Sequence, residues 1–342
     1  MTLDLTNLKW ALGSLLENDR HFGFLTKKAQ MIDVSVIQNG NVFTIGFDFN
    51  DRTTYSVTLK VTKNQTEQFF YSNYSIPSQF PMPRYYDHLN NLLLIQNVDS
   101  FAVKTQIYSG LNKSQVYNLT SHLADLHAFH LLSDSSKKAG LSTGPQLTVE
   151  DFNEAAGQLG RVLSNKQVLS LSSYLKFASE DSSEPLESLK PVCVHGNFTS
   201  DNFFWQKNEE GHSTNIPSAV VGWSNVHLGS STDDLAQLLI TCVDADDRLY
   251  IQNSVVELYY NTLRSQLALS DELMECFTYE RITKSFNRSF IMQTIKFLTN
   301  LPKIFEDIEK NSSKGVAEAA KGKLMIRAKF AILEAADYVQ ST

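Results

Sequence analysis

Cysteine is scarce. The 342 residues carry only Cys193, Cys242 and Cys276, in apolar contexts and without C-x-x-C spacing. That argues against a disulfide framework and predicts buried free thiols in a reducing compartment. Positive charge is also short: 30 Lys and Arg face 37 Asp and Glu, a net charge of −7. This argues against nucleic acid or an anionic membrane as the main partner. No apolar run reaches about 18 residues, so no transmembrane helix is expected. The first residues include Asp4 and no apolar h-region, so no secretory signal is expected either. The expected location is therefore cytoplasmic, and the sequons at Asn73 and Asn287 are read as chance. No internal repeat stands out.

What is present is a globular composition, 42% hydrophobic and 20% charged. The length suits one two-lobed unit or two domains. Residues 2–18 read as a helix with the stripe Leu8, Leu12, Leu15 and Leu16. Residues 34–37, 42–49 and 54–61 read as three strands, with a type I′ turn at Asn39-Gly40 and a second turn at Asp51-Arg52. A proline-bearing connection over 77–84 leads to an apolar strand at 91–96. Residues 113–132 form the clearest helix. His127 and His130 lie on it three apart with no third ligand, so they read as core or surface histidines rather than a metal pair. A Ser/Gly/Lys linker covers 133–145, and two helical patterns follow over 149–177. Helices are expected over 233–243, 248–266, 271–286, 290–308 and 317–338, with a charged turn at 314–323. A β-rich first quarter before a helical remainder is α+β with two lobes.

The densest polar stretch lies within 191–237. Two apolar runs, 192–194 and 203–206, flank a loop holding His195, Asn197, Asp201 and Asn202. A third apolar run, 219–223, precedes a Gly/Ser turn and the helix start Asp233-Asp234-Leu235-Ala236. Polar side chains this dense between buried strands mark a candidate reaction centre.

This stretch resembles the choline-kinase-like and aminoglycoside phosphotransferase superfamily, and most of all its invertebrate, CHK kinase-like branch. The matching residues are His195-Gly196, Asn202, Trp223, Gly229 and Asp234. The L-A-x-L-H-A of 123–128 and the E-x-F-F-Y at Glu67 extend the likeness over nearly the whole chain. The resemblance implies a protein-kinase-like fold, with a small antiparallel lobe over 1–96 and a large helical lobe over 97–342. It implies Lys60 on the nucleotide phosphates, Glu67 as its partner, and adenine at the hinge of Gln96, Asn97 and Val98. It implies Asp234 as a brace under the catalytic loop beside His195, and the 149–177 insert as a wall for the acceptor. Read without it, Lys60 is a strand-end lysine and Glu67 a first-turn glutamate.

The chain departs from that family where the chemistry belongs. Asn197 stands where the family has its catalytic Asp, and Gly222 where it has a magnesium-binding Asp. Asn202, the second metal ligand of the pattern, is kept. Asn39-Gly40-Asn41 offers one glycine where a phosphate-covering loop needs several. Asp201 is the nearby carboxylate that could compensate, although a solvent-facing loop residue is the plainer reading. Three functions stay open. One is a pseudokinase scaffold for a small molecule or a protein. The second is an ATP-dependent phosphotransferase with a relocated carboxylate. The third is a nucleotide-binding module without metal. ATP and magnesium are thus possible ligands, and no cofactor is certain.

Overall fold

The computed structural model describes residues 4–74, 77, 79–133, 141–144, 147–159, 164–180 and 189–341. Two helices open it, α1 (Leu5–Asn18) and α2 (Arg20–Lys28), where the sequence pattern predicts one. Asp19 makes the break. Its backbone is extended, and its Oδ1 accepts the N–H groups of His21 (2.8 Å) and Phe22 (3.2 Å), which caps α2.

Five antiparallel strands follow: β1 (Met31–Asn39), β2 (Val42–Phe49), β3 (Thr54–Val61), β4 (Tyr85–Leu89) and β5 (Leu92–Gln96). Their order is β1-β2-β3-β5-β4. Alternation sorts the faces. Phe43, Ile45, Val57 and Leu59 pack with Leu15, Phe22 and Leu25 of the two helices. The pairs Val42–Lys60, Thr44–Thr58 and Gly46–Ser56 fall between them in the register and face the other way. The first turn differs from expectation. Asn39 pairs with Val42, so the two turn residues are Gly40 and Asn41. Only Gly40 has positive φ (+61°), which is the type II′ pattern, not I′. Helix α3 (Gln65–Asn73) lies between β3 and β4 and has nine residues.

The remainder is mainly helical, with β6 (Ala102–Lys104), β8 (Phe203–Lys207) and β9 (Ser213–Val220) in one small sheet, and β7 (Val192–Val194) paired to β10 (His227–Gly229). Around them pack α4 (Lys113–Leu132), α5 (Val149–Gln158), α6 (Asn165–Glu180), α7 (Asp233–Cys242), α8 (Ala245–Leu267), α9 (Asp271–Cys276), α10 (Tyr279–Asn311) and α11 (Lys314–Ser341). Asn112 and Gln115 close a capping box at the start of α4. The linker expected over 133–145 lies mostly outside the described residues.

Two helix boundaries need correction. The break expected between 286 and 290 is absent, and α10 runs through it. Asn287-Arg288-Ser289 looks like a turn, but Ser285 and Ser289 are buried and bond Thr232 Oγ1 at 3.0 and 2.9 Å. The true break precedes α10, where the Thr278 side chain caps the helix through the Arg281 N–H. The turn expected over 314–323 is the first part of α11. Gly315 sits in its first turn, and Gly322, in its interior, costs about 1 kcal/mol. Burial of Ala317, Ala320 and Leu324 between them and beyond offsets it.

Cys193 and Cys242 are buried free thiols, whereas Cys276 is only half-buried. Among the described residues, no helix is long and apolar enough to cross a membrane.

His127 and His130 are both buried. His127 Nδ1 meets Tyr259 Oη at 2.7 Å, and His130 Nδ1 meets the Tyr74 hydroxyl. Burial pushes His127 down to about 3. The unfolded chain therefore takes a proton below about pH 6.5 that the native chain refuses, so native stability falls with acidification. Between pH 6.5 and 5 this histidine alone costs about 2 kcal/mol. His127→Phe should lower stability at pH 7.5 yet flatten its decline toward pH 5, as measured by urea unfolding at both pH values. An unchanged slope would remove His127 as the cause.

Candidate functional site

The loop 195–202 runs between β7 and β8, and α7 holds it from beneath. Asp234 accepts the His195 N–H at Oδ2 (2.6 Å) and the Gly196 N–H at Oδ1 (3.0 Å). Gln237 Oε1 accepts the Phe198 N–H at 2.5 Å, and Cys242 Sγ accepts the Ser200 N–H at 3.2 Å. Positions spaced along one helix thus satisfy backbone donors along the loop, which a buried irregular segment needs. Burial raises Asp234 to about 7, against the opposing pull of those two N–H bonds. Gly196 adopts φ +75°, and a Cβ there would sit 2.4 Å from the Asn225 carbonyl oxygen. No larger residue fits that position.

His195 is wholly buried. Burial pushes it down to about 3, so it is neutral. Nε2 donates to the Val221 carbonyl (2.9 Å), and Nδ1 accepts the Asn197 N–H (3.2 Å), which fixes the tautomer. Trp223 stacks on Phe70 of α3 at 4.3 Å and lies 4.4 Å from the His195 ring. It joins the helix that carries Glu67 to the loop.

Lys60 and Glu67 meet. Lys60 Nζ lies 2.8 and 2.7 Å from the two Glu67 oxygens, with the Glu67 side chain 2% exposed and the lysine 20%. The two side chains expected to pair are thus in contact.

At the hinge, Asn97 donates to Ser56 Oγ (2.9 Å) and accepts from Thr58 at 3.5 Å. Val98 packs with Ala102, Phe204, Ala219 and Val221. Its carbonyl already accepts the N–H groups of Phe101 and Ala102. Gln96 Oε1 accepts the Arg84 N–H at 3.2 Å.

The remaining site residues lie together. Gly222 has φ +82°, and a Cβ there would fall 2.4 Å from Asn202 Oδ1. Asn202 therefore fills the space a side chain at 222 would need. Its Nδ2 donates to the Asn197 carbonyl at 2.8 Å, inside the loop. Among the described residues, no group of three His, Cys, Asp or Glu side chains could hold a metal ion. The residues at 197, 202 and 222 do not fit magnesium, which prefers carboxylate oxygens.

Asp201 does not face solvent. It is half-buried, and its Oδ1 accepts the Ile107 N–H at 3.1 Å. It lines the same cavity as Asn197. The wall of that cavity is α10 and includes no described residue of the 149–177 segment.

Sequence reasoning missed Lys296, Gln237 and Ile107. Lys296 Nζ donates to the Gly196 carbonyl at 2.9 Å. A lone lysine between Ile295 and Phe297, in an otherwise apolar stretch, was the available signal.

The family model DUF1679, described as "Uncharacterized oxidoreductase dhs-27", matches residues 166–336, half of the chain. The chain belongs to this family. The Caenorhabditis elegans protein of that name is 20% identical over 265 residues, which cover 70% of this chain and 31% of that protein. The chain thus spans under a third of this relative. Among solved structures, one assigned as an aminoglycoside phosphotransferase from Ralstonia eutropha superposes with a TM-score of 0.52 at 11% identity, covering 93% of this chain and 97% of its own. A choline/ethanolamine kinase family protein from Mesorhizobium loti superposes with a TM-score of 0.50 at 10% identity, covering 98% and 99%. The fold is the kinase-like fold of these phosphotransferases, as the sequence resemblance implies.

Proposed function

We infer that this member of the family is a pseudokinase: a kinase-like scaffold that binds a small molecule in its cleft and transfers little or no phosphate. One observation carries this reading. Gly222 holds a left-handed backbone with Asn202 packed into its side-chain space, so the position has neither a metal ligand nor room for one. Asn197 adds to it, since an amide cannot take a proton from an alcohol at neutral pH. The reading places the protein in the cytoplasm, on its free cysteines and acidic balance.

The name of the relative speaks of a redox enzyme. This chain matches a minor part of that protein, and its glycines never fall in the G-x-G-x-x-G spacing of a dinucleotide turn. No redox activity is carried over.

A second reading keeps nucleotide binding without metal, favoured by the closed Lys60–Glu67 pair. Thermal-shift titration with ATP, with and without magnesium, separates the two. The expected result is no added stabilisation from magnesium. If ATP alone stabilises the protein, Lys60→Met should weaken that shift strongly, because on this reading the lysine meets the phosphates. A shift that grows with magnesium would overturn the pseudokinase reading.

A further inference from the structure

A cavity of about 340 Å³ opens between the 195–202 loop and α10. That volume suits a small metabolite. Gln293, Lys296, Asn300, Lys303 and Asp307 line it from one face of α10, at three- and four-residue steps. Asn197 and Asp201 line it from the loop.

Two opposite charges border this cavity, and neither neutralises the other. Lys296 bonds a backbone carbonyl, and Asp201 a backbone N–H. Among the described residues neither has an ion-pair partner within 4.0 Å. An ammonium carries three donors and a carboxylate about four acceptor sites, so each has capacity left over. Burial pushes Asp201 up, with Lys104 pulling it back and Asp307 adding to the rise. Burial pushes Lys296 down, with Asp234 and Asp233 pulling it back. Gln293 Oε1 is buried on the same wall without a hydrogen-bond partner among the described residues. That oxygen has no surface open to the cavity, so Gln293 borders the cavity through the rest of its side chain.

We propose that this cavity binds a small zwitterion, with its carboxylate on Lys296 and its ammonium on Asp201. The proposal rests on reading the cleft as a ligand site without transfer, and it names the ligand class. A simple cation would set positive charge against Lys296, and a simple anion would set negative charge against Asp201. Either sets a like charge beside one half-buried group. A zwitterion matches both. Exposed Lys303 and Asp307 repeat the same pairing of signs at the rim.

Calorimetric titration of the full chain with three matched probes tests this. L-serine carries both charges, ethanolamine lacks the carboxylate, and 3-hydroxypropanoate lacks the ammonium. L-serine should bind at least about tenfold more tightly than either partner. Lys296→Met should bring L-serine down to the level of ethanolamine, and Asp201→Asn down to that of 3-hydroxypropanoate. The wild-type comparison needs no variant, so a variant that fails to fold leaves the test intact. Ethanolamine binding as tightly as L-serine, or no probe binding at millimolar concentration, would overturn the proposal. The same mixtures are then given ATP and magnesium. A phosphorylated probe would overturn the no-transfer reading while leaving the charge preference standing.

Discussion

Purified protein incubated with ATP, magnesium and choline or ethanolamine should release no phosphorylated alcohol above background, read by product mass or radiolabel transfer. Loss of a general base alone lowers a rate about 10²–10⁴-fold, and the pseudokinase reading has a metal ligand missing as well. Asn197→Asp should not restore turnover, since it returns a carboxylate to a site without a metal. Gly222→Asp should fail for a further reason. Its Cβ would meet Asn202 Oδ1 at 2.4 Å, in a backbone with φ +82° that side chains rarely adopt. The strain costs about 1–3 kcal/mol, so this variant should also melt earlier. The double change serves one transition state, so its effect should be non-additive. Even it needs Asn202 to give up its bond to the Asn197 carbonyl. The opposite outcome decides the matter: turnover by the wild-type chain, abolished by Asp201→Asn, would make Asp201 a relocated catalytic carboxylate. Its place in the cavity of Asn197 makes that test worth running.

Arg327→Met should be the most destabilising single change outside the apolar core, at about 3 kcal/mol. The side chain is 1% exposed. It donates to Asp244 Oδ1 at 3.0 and 2.8 Å, to the Ile107 carbonyl at 2.7 Å and to the Thr241 carbonyl at 2.6 Å. Methionine fills the volume but leaves both carbonyls unpaired and Asp244 without its main partner. Burial works against the Asp244 charge, while Arg327 and Lys323 hold its carboxyl below the ordinary range. Arg327→Lys should recover little, because an ammonium lacks the planar fork that reaches three groups at once. Urea unfolding of the three proteins gives the comparison, and a loss below about 1 kcal/mol for Arg327→Met would show the network to be dispensable. The site is coupled to this latch. Arg327 holds the Ile107 carbonyl, and the Ile107 N–H holds Asp201.

Much of this molecule follows from local sequence. The alternation of 42–49 and 54–61 makes a strand pair with one buried face, because side chains repeat every second residue. The stripe of 113–132 makes a helix for the corresponding reason at its own period. The order of motifs from Lys60 to Asp234 carries the fold, and the resemblance alone reads Asn197 and Gly222 as standing in for acidic groups. Sequence failed where a polar residue serves a distant partner. Residues 287–289 look like a break, yet the helix continues through them, with Ser285 and Ser289 bonded to Thr232 more than fifty residues away. Asp201 looks like a solvated loop residue, yet the Ile107 N–H turns it into the cleft. Lys296 looks like a stray charge between Ile295 and Phe297, yet it reaches the Gly196 carbonyl and borders the cavity. Periodicity and composition report on neighbours along the chain, and so they fix the elements. Which buried polar group finds which partner depends on segments brought together by packing, and only the tertiary structure decides that.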